Sequence, residues 1–195
     1  MQHTDEQLML RLKGGDRQAF DAIVQRYRDR MVSYAFRMVG NAELAQDVAQ
    51  ETFVRVFKSA STFRDDGRLA PWLYRIASNV CLSERTKRAK EALNVDYETL
   101  EDTHDSGVLV DEQVMAAMST QRLGRAIDQL SPQHKAALTM HVYQGLTYVE
   151  IGEALGIPTG TVKSRLFYAI RKLRNVMDMT LQEKDDNRGN GNEEI

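Results

Sequence analysis

Apolar residues recur three and four positions apart through most of this 195-residue chain, and this spacing constrains the fold more than any other feature. It is the spacing that buries one face of an α-helix. The longest such stripe begins after Asp16, a favourable N-cap, and stops at Gly40, a residue suited to end a helix. No stretch of useful length alternates between apolar and polar residues, so the sequence predicts an all-α fold.

Further helices are predicted on both sides of this one. A short helix from Asp5 to Leu12 precedes it, and Asn41 caps a second long helix that follows it. A third helix is predicted to begin at Pro71, because the first helical position favours proline. Its expected buried residues are Leu73, Ile76, Ala77 and Val80.

The second half of the chain has shorter helices with clear ends. Ser131 and Pro132 begin one helix, and Thr147 with Glu150 forms a capping box at the start of the next. Beyond Gly156, a turn leads into a final helix whose expected inner face is Val162, Leu166, Ala169, Ile170 and Leu173. Two helices joined by a tight turn are typical of the helix-turn-helix motif that binds DNA. The alternative is an ordinary helical hairpin with a solvated basic face.

The net charge of -2 results from the cancellation of oppositely charged segments. Residues 64–90 contain seven basic and three acidic residues, and residues 161–175 contain five basic residues and no acidic one. Residues 91–112 carry eight acidic residues and no Lys or Arg. The two basic segments favour contact with nucleic acid, and the acidic segment separates them.

Pattern and charge together predict two small helical domains joined by an acidic flexible linker. The expected domains are residues 1–92 and residues 116–180, with the linker at 93–115. The linker has no sustained helical period. Residues 181–195 are polar and rich in Gly and Asn, and we expect them to form a disordered tail.

The composition argues against several other classes of protein. The single cysteine, Cys81, cannot form an internal disulfide, and we expect it in the core rather than acting as a thiol sensor. The four histidines are not grouped at metal-binding spacing, so no metal or other cofactor is expected. No apolar run approaches the ~20 residues that cross a bilayer, and the N-terminus lacks the regions of a signal peptide. We therefore expect a cytoplasmic protein without direct membrane insertion.

Aromatic and amide side chains in the first basic segment suit unpaired nucleic acid. Trp72, Tyr74 and Phe63 offer faces for stacking on bases, and Asn79 offers a donor and an acceptor to a base edge. The alternative is that Trp72 and Tyr74 belong to the core and that the basic residues form a solvated face.

A polar face on the second long helix is a further candidate. Asp47, Gln50 and Glu51 fall at spacings that place them on one side of that helix. Such a face is either a binding surface or merely solvated.

Three strings give the chain a resemblance to a known family. They are AELAQDVAQETFVRVFKSASTFR at 42–64, PWLYRIASN at 71–79 and LSPQHKAALTMHVYQGLTYVEIGEALGIPTGTVKSRLFYAIRKLR at 130–174. In this order they resemble bacterial RNA polymerase sigma factors of the extracytoplasmic-function (ECF) group, and the likeness runs from about Asp16 to Arg174. It implies a first domain that binds the polymerase clamp and opens the minus-ten promoter element. It also implies a second domain that reads the minus-thirty-five element and meets the polymerase flap, and an anti-sigma factor that masks these surfaces and can hold the protein near the membrane.

The resemblance implies a role for each candidate residue. The clamp-binding helix carries Asp47, Gln50 and Glu51. Asn79 stands where the family captures a flipped minus-ten base, with Trp72, Arg75 and Arg85 nearby. The helix that reads the minus-thirty-five element carries Lys163, Ser164, Arg165, Phe167 and Tyr168.

Five positions depart from the common family pattern. The family often has arginine at Lys163 and Tyr168, glycine at Asp65, an aromatic residue at Leu69 and threonine at Pro71. Lysine lacks the planar fork with which arginine binds guanine, so we expect promoter preference to differ while the fold survives.

Two alternatives remain at the level of the sequence. One is a free-standing dimeric helix-turn-helix regulator that binds palindromic duplex sites. The other is an enzyme that acts on nucleic acid, but the sequence has no nucleophile elbow, no phosphate-binding glycine loop and no carboxylate cluster of metal-binding spacing. A binding protein without chemistry of its own is therefore the expectation.

Overall fold

The computed structural model describes residues 3–64, 67–93 and 124–189, and within these ranges every regular element is helical. The all-α prediction is thereby confirmed. The elements of the first domain are α1 (Asp5–Lys13), α2 (Arg17–Val39), α3 (Ala42–Lys58), a 3-10 turn (Ala60–Thr62) and α4 (Leu69–Leu93). In the second domain, residues 124–128 form α5, followed by α6 (Pro132–Val142), α7 (Tyr148–Leu155) and α8 (Thr159–Gly189).

Side-chain caps set the ends of these helices. The Asp16 carboxylate accepts hydrogen bonds from the backbone N–H groups of Gln18 and Ala19, and thereby begins α2. Gly40 ends that helix with a φ of 77°, a left-handed conformation that favours glycine. The predicted capping box of Thr147 and Glu150 is confirmed at the start of α7.

The turn between α7 and α8 depends on a close backbone approach. A Cβ atom at Gly152 would lie 2.9 Å from the carbonyl oxygen of Ile157, which is closer than side chains tolerate. The backbone N–H of Ile157 donates a 3.0 Å hydrogen bond to the carbonyl of Gly152. The helix-turn-helix therefore needs glycine at this position, a requirement that the helical period does not reveal.

Both domains share a single buried core. Helix α4 packs against α7, and α2 packs against α6. The buried cluster extends without interruption from the first domain into the second. The largest fully buried side chains include Tyr27, Tyr34, Tyr74, Phe63 and Met140. The two sets of helices thus lie against each other in a closed arrangement.

Helix α4 differs in two respects from the sequence prediction, its first residue and the burial of Ile76. It begins at Leu69, so Pro71 occupies the third helical position. The first backbone N–H groups of a helix have no partner within it, and a proline fits there without losing a hydrogen bond. Ile76, which was expected to be buried, is only half-buried. Of the two alternatives for the aromatic residues, the core placement holds for Tyr74 and for Phe63, which precedes α4, because both are buried.

Helix α8 extends beyond the predicted domain boundary. It continues to Gly189, into the segment expected to be a disordered tail. Extending an existing helix costs far less than starting one, and the sequence beyond 180 begins with the good helix formers Leu181, Gln182 and Glu183. Ile170, assigned to the inner face, is 45% exposed.

Some predictions fall outside the described residues. Apart from Leu93, the predicted linker at 93–115 is among them, as are Asp65 and residues 190–195.

Candidate nucleic-acid interface

The predicted polar face lies on the solvent side of α3. Asp47 and Gln50 are exposed, and Glu51 is half-buried. Oε1 of Glu51 accepts a 2.7 Å hydrogen bond from Nε of Arg55, one turn further along. The opposite side of α3 is anchored in the core by Leu44, Ala45, Val48, Ala49, Thr52, Phe53 and Val56. The face is therefore held on a rigid helix.

Exposed apolar side chains lie beside this face. Phe36 on α2 is 48% exposed and borders a shallow groove, which Ala42, Ala45 and Gln46 of α3 also line. Phe57, near the end of α3, is 45% exposed. Large exposed apolar groups next to fixed carboxylates are typical of a surface that binds another protein. Sequence reasoning missed Phe36, because it lies off the buried stripe of α2.

The candidate minus-ten residues are divided between solvent and core. Asn79 and Arg75 are exposed on α4. Trp72 is half-buried, and its ring packs edge-on against Phe63 with centroids 5.4 Å apart. One part of the indole is therefore fixed by the core while another part stays accessible.

Arg85 has a structural contact within the first domain. Its Nη1 donates a 3.2 Å hydrogen bond to the carbonyl oxygen of Met38, in the last turn of α2. Carbonyl groups at the end of a helix have no partner within it and carry partial negative charge, so a cation stabilises them. This side chain therefore holds α4 to α2, whereas Arg75 donates a hydrogen bond to the backbone carbonyl of Glu153 on α7.

The helix-turn-helix presents its candidate residues at the start of α8. Lys163 and Ser164 are exposed, and Arg165 is half-buried. Phe167 and Tyr168 are 62% and 59% exposed, respectively. Their rings contact each other edge-on with centroids 6.0 Å apart, on the side of α8 opposite the buried Val162, Leu166 and Ala169. Two large aromatic rings exposed beside basic side chains form a suitable surface for base edges and sugars.

Residues assigned to different promoter elements line the same interdomain cleft. Arg75 and Asn79 come from α4, and Arg165 comes from α8. The cleft has a volume of about 360 Å³, and its other walls include Met38, Leu82, Pro132, Ala136 and Ile157. The sequence did not predict this proximity, because 86 positions separate Asn79 from Arg165.

Two titratable groups near these surfaces have displaced pKa values. Burial opposes ionisation of Glu150, but hydrogen bonds from Thr147 and the nearby Arg68 outweigh it and hold the pKa of Glu150 below its ordinary value. Burial raises the pKa of the Cys81 thiol to about 12. At neutral pH the Glu150 carboxylate therefore stays charged, and the Cys81 thiol stays protonated.

The described part of the chain contains no cluster of three or more His, Cys, Asp or Glu residues arranged to hold a metal ion. Within the same residues, none of the helices has both the length and the apolar character required to span a bilayer.

Two family models match the chain. The model for Sigma-70 region 2 matches residues 23–91, and the model for Sigma-70 region 4 matches residues 126–175. The first match covers α3 and α4, which carry the polar face and Asn79. The second covers the helix-turn-helix.

Curated relatives match over most of their length. The RNA polymerase sigma-H factor of Pseudomonas aeruginosa is 34% identical over 93% of this chain and 95% of the relative. The ECF RNA polymerase sigma factor SigW of Bacillus subtilis is 31% identical over 84% of this chain and 91% of the relative.

Solved structures have the same fold. CnrH in complex with the cytosolic domain of CnrY has a TM-score of 0.68 at 21% identity, over 90% of this chain and 97% of that chain. The sigma factor RpoE in complex with the anti-sigma factor NepR from Bartonella quintana has a TM-score of 0.63 at 21% identity, over 82% and 96% of the two chains.

Proposed function

The chain belongs to the ECF group of RNA polymerase sigma factors. From this membership we propose which of its surfaces binds the polymerase and which bind each promoter element. The protein binds core RNA polymerase through the first domain and brings it to promoter DNA. It contributes binding and positioning, with no chemistry of its own. The observation that carries this assignment is the presence of regions 2 and 4 in order on one chain, each with exposed polar side chains on a rigid helix.

The polar face of α3 is the surface for the polymerase clamp. Asp47, Gln50 and Glu51 offer acceptors to basic side chains of a partner. The exposed rings of Phe36 and Phe57 add apolar area next to them. Apolar contact supplies affinity and the carboxylates supply orientation, so the two parts suit one protein partner.

Helix α4 is the surface for the opened minus-ten element. Asn79 can present an amide to the Watson–Crick edge of a base that has left the stack. Trp72 offers the accessible part of its ring to a neighbouring base, and Arg75 offers its charge to the backbone. Arg85 acts mainly by positioning α4 on α2.

The start of α8 is the surface for the minus-thirty-five element. Lys163, Ser164 and Arg165 lie where a recognition helix enters the major groove. Phe167 and Tyr168 follow on the exposed side of the same helix and suit apolar contacts with thymine methyl groups or sugars. The second domain also meets the polymerase flap.

An anti-sigma factor regulates the protein from the cytoplasmic side. Two solved structures of the same fold are complexes with the cytosolic domain of CnrY and with the anti-sigma factor NepR. The apolar groove between α2 and α3 and the exposed aromatic pair on α8 are the surfaces that such a partner can cover.

Run-off transcription tests the proposed function. Purified protein and core polymerase are combined with a pool of genomic promoter fragments, and core polymerase alone is the control. We expect new transcripts whose start sites share two upstream sequence elements. Transcripts identical to those of core polymerase alone would contradict the assignment.

A further inference from the structure

We propose that Lys13, at the end of the N-terminal helix α1, positions Trp72 for its contact with the opened minus-ten element. The inference rests on the proposed function, because Trp72 belongs to the surface proposed for that element. Lys13 acts through the backbone of Phe63 and does not itself read the promoter.

Contacts at both ends hold α1 against α2. Near its beginning, the carboxylate of Asp5 accepts hydrogen bonds from Arg26 and, at 2.5 Å, from the hydroxyl of Tyr27. At its end, Nη2 of Arg11 donates a 2.6 Å hydrogen bond to Oδ2 of Asp16, the N-cap of α2. The side of α1 that faces the core buries Leu8, Met9 and Leu12. The last turn of α1 therefore has a fixed position on the first domain.

Lys13 extends from this last turn to the segment that joins α3 to α4. Its Nζ donates a 3.2 Å hydrogen bond to the carbonyl oxygen of Phe63, 50 positions further along the chain. Phe63 follows the 3-10 turn, and its own N–H donates a 3.1 Å hydrogen bond to the carbonyl oxygen of Ala60. Both backbone polar groups of Phe63 are thus engaged, and a charged donor such as the Lys13 amine makes the stronger kind of hydrogen bond. Because α1 also packs against the 3-10 turn and α4, the position of Phe63 depends on α1 as well as on α3.

The ring of Phe63 carries this constraint to the start of α4. It is only 2% exposed, and the Trp72 ring packs edge-on against it with centroids 5.4 Å apart. Gly67 approaches the same ring, since a Cβ atom at that position would lie 3.5 Å from Cε2 of Phe63. The backbone N–H of Gly67 donates a 2.8 Å hydrogen bond to the carbonyl oxygen of Arg64. The Phe63 ring therefore supports both the chain that enters α4 and the indole of Trp72.

The orientation of the Trp72 ring matters for the proposed minus-ten contact. A base that has left the stack is bound by the face of an aromatic ring. A ring that is already held in its bound orientation avoids the cost of ordering it during binding. Trp72 is half-buried, so Phe63 can fix one part of the indole while the rest contacts a base. Loss of the Lys13 contact should let Phe63 shift and the indole leave this orientation.

The chain offers a conservative variant and a matched control. K13M keeps most of the side-chain length and removes the donor, whereas K13R keeps a charged donor. Lys13 is an exposed residue, so neither change opens a cavity in the core. K58M makes the same substitution at the exposed last residue of α3, and it therefore controls for the lost charge.

Fluorescence of the free protein measures the effect on Trp72 directly. Trp72 is the single tryptophan of the chain, so its emission needs no label. In K13M we expect emission at longer wavelength and stronger quenching by acrylamide, because more of the indole meets water. K13R and K58M should resemble the parent. A K13M protein with a lower Tm but with the emission and quenching of the parent would show that the contact is only structural, and would overturn the proposal.

Promoter opening with core polymerase measures the consequence for function. A base analogue in the minus-ten element reports the opening rate. We expect K13M to lower this rate roughly fivefold, the usual effect of one net hydrogen bond on an equilibrium. K13R should restore the rate, and K58M should open the promoter like the parent. A normal opening rate in K13M would overturn the positioning role.

Salt dependence separates positioning from a direct contact with DNA. Loss of a lysine that binds a phosphate weakens DNA binding and reduces its dependence on salt. We expect promoter binding by K13M to keep the salt dependence of the parent, and a reduced dependence would place Lys13 on the DNA backbone and overturn the proposal. Failure of the parent to open promoters with core polymerase would contradict the proposed function. The fluorescence of Trp72, measured without polymerase or DNA, would still decide whether Lys13 holds the ring.

Discussion

Arg55 and Glu51 lie one turn apart on α3, and Nε of Arg55 donates a 2.7 Å hydrogen bond to Oε1 of Glu51. Both side chains keep nearly half of their accessible surface, so solvent screens the pair and it contributes little to stability. Its value is that it fixes a carboxylate in the middle of the proposed clamp surface. Reversing the charge of Glu51 should therefore change binding far more than folding.

E51K should weaken binding to core polymerase by at least tenfold. The lysine would meet the basic groups that a carboxylate surface selects, and it would also repel Arg55. The measurement is a titration of labelled protein with core polymerase. D21K, which reverses an exposed charge on α2, is the control and should bind like the parent. If E51K binds core polymerase as tightly as D21K does, α3 is not the surface that binds the clamp.

N79A should slow promoter opening with little effect on binding to the upstream element. A specific amide contact to a base edge contributes about 1–3 kcal/mol, which corresponds to a loss of roughly 5- to 150-fold. Fluorescence of a base analogue in the minus-ten element measures opening. S83A, one turn further along the exposed side of α4, is the control. Normal opening by N79A would rule out base capture.

K163R should sharpen the preference for guanine in the minus-thirty-five element. The planar guanidinium binds guanine in a bidentate manner that an ammonium cannot reproduce. Binding is measured on duplexes that differ at single base pairs of the element. R174A, at an exposed position further along α8, should weaken binding to all of these duplexes equally and lower the salt dependence of binding. If K163R and the parent show the same relative affinities for these duplexes, Lys163 contacts the DNA backbone rather than a base.

Acid should destabilise the protein partly through Glu150. Its pKa lies below the ordinary value of 4.5 in the folded state, so its charged form stabilises the fold above that pH. This contribution is lost as the pH falls through the folded pKa. E150Q, which can keep the cap on Thr147, should show a smaller drop of Tm between pH 6 and pH 3 than the parent. E43Q, which replaces an exposed glutamate on α3, should show the same drop of Tm over this pH range as the parent.

Helix periods and caps predicted most of the fold because they are local. Asp16, Gly40 and the pair Thr147 and Glu150 set helix ends within a few residues of their own positions. The interdomain cleft was not predictable, because contacts such as Tyr74 with Gln144 join positions 70 residues apart. The same reason explains why Tyr74 could be assigned to bases or to core. A helical period shows which residues share a face, but it does not show what covers that face.

Cys81 should be inert in the folded protein. The side chain is fully buried and its pKa is raised by burial from 9.0 to about 12, which leaves roughly a thousandfold less thiolate at neutral pH. Because the thiolate is the reactive form, a disulfide reagent should modify the native protein at least a thousandfold more slowly than the protein unfolded in urea. C81A should retain transcription with core polymerase and lose some stability through the small cavity. Fast modification of the native thiol would instead indicate a sensor and would contradict the core placement.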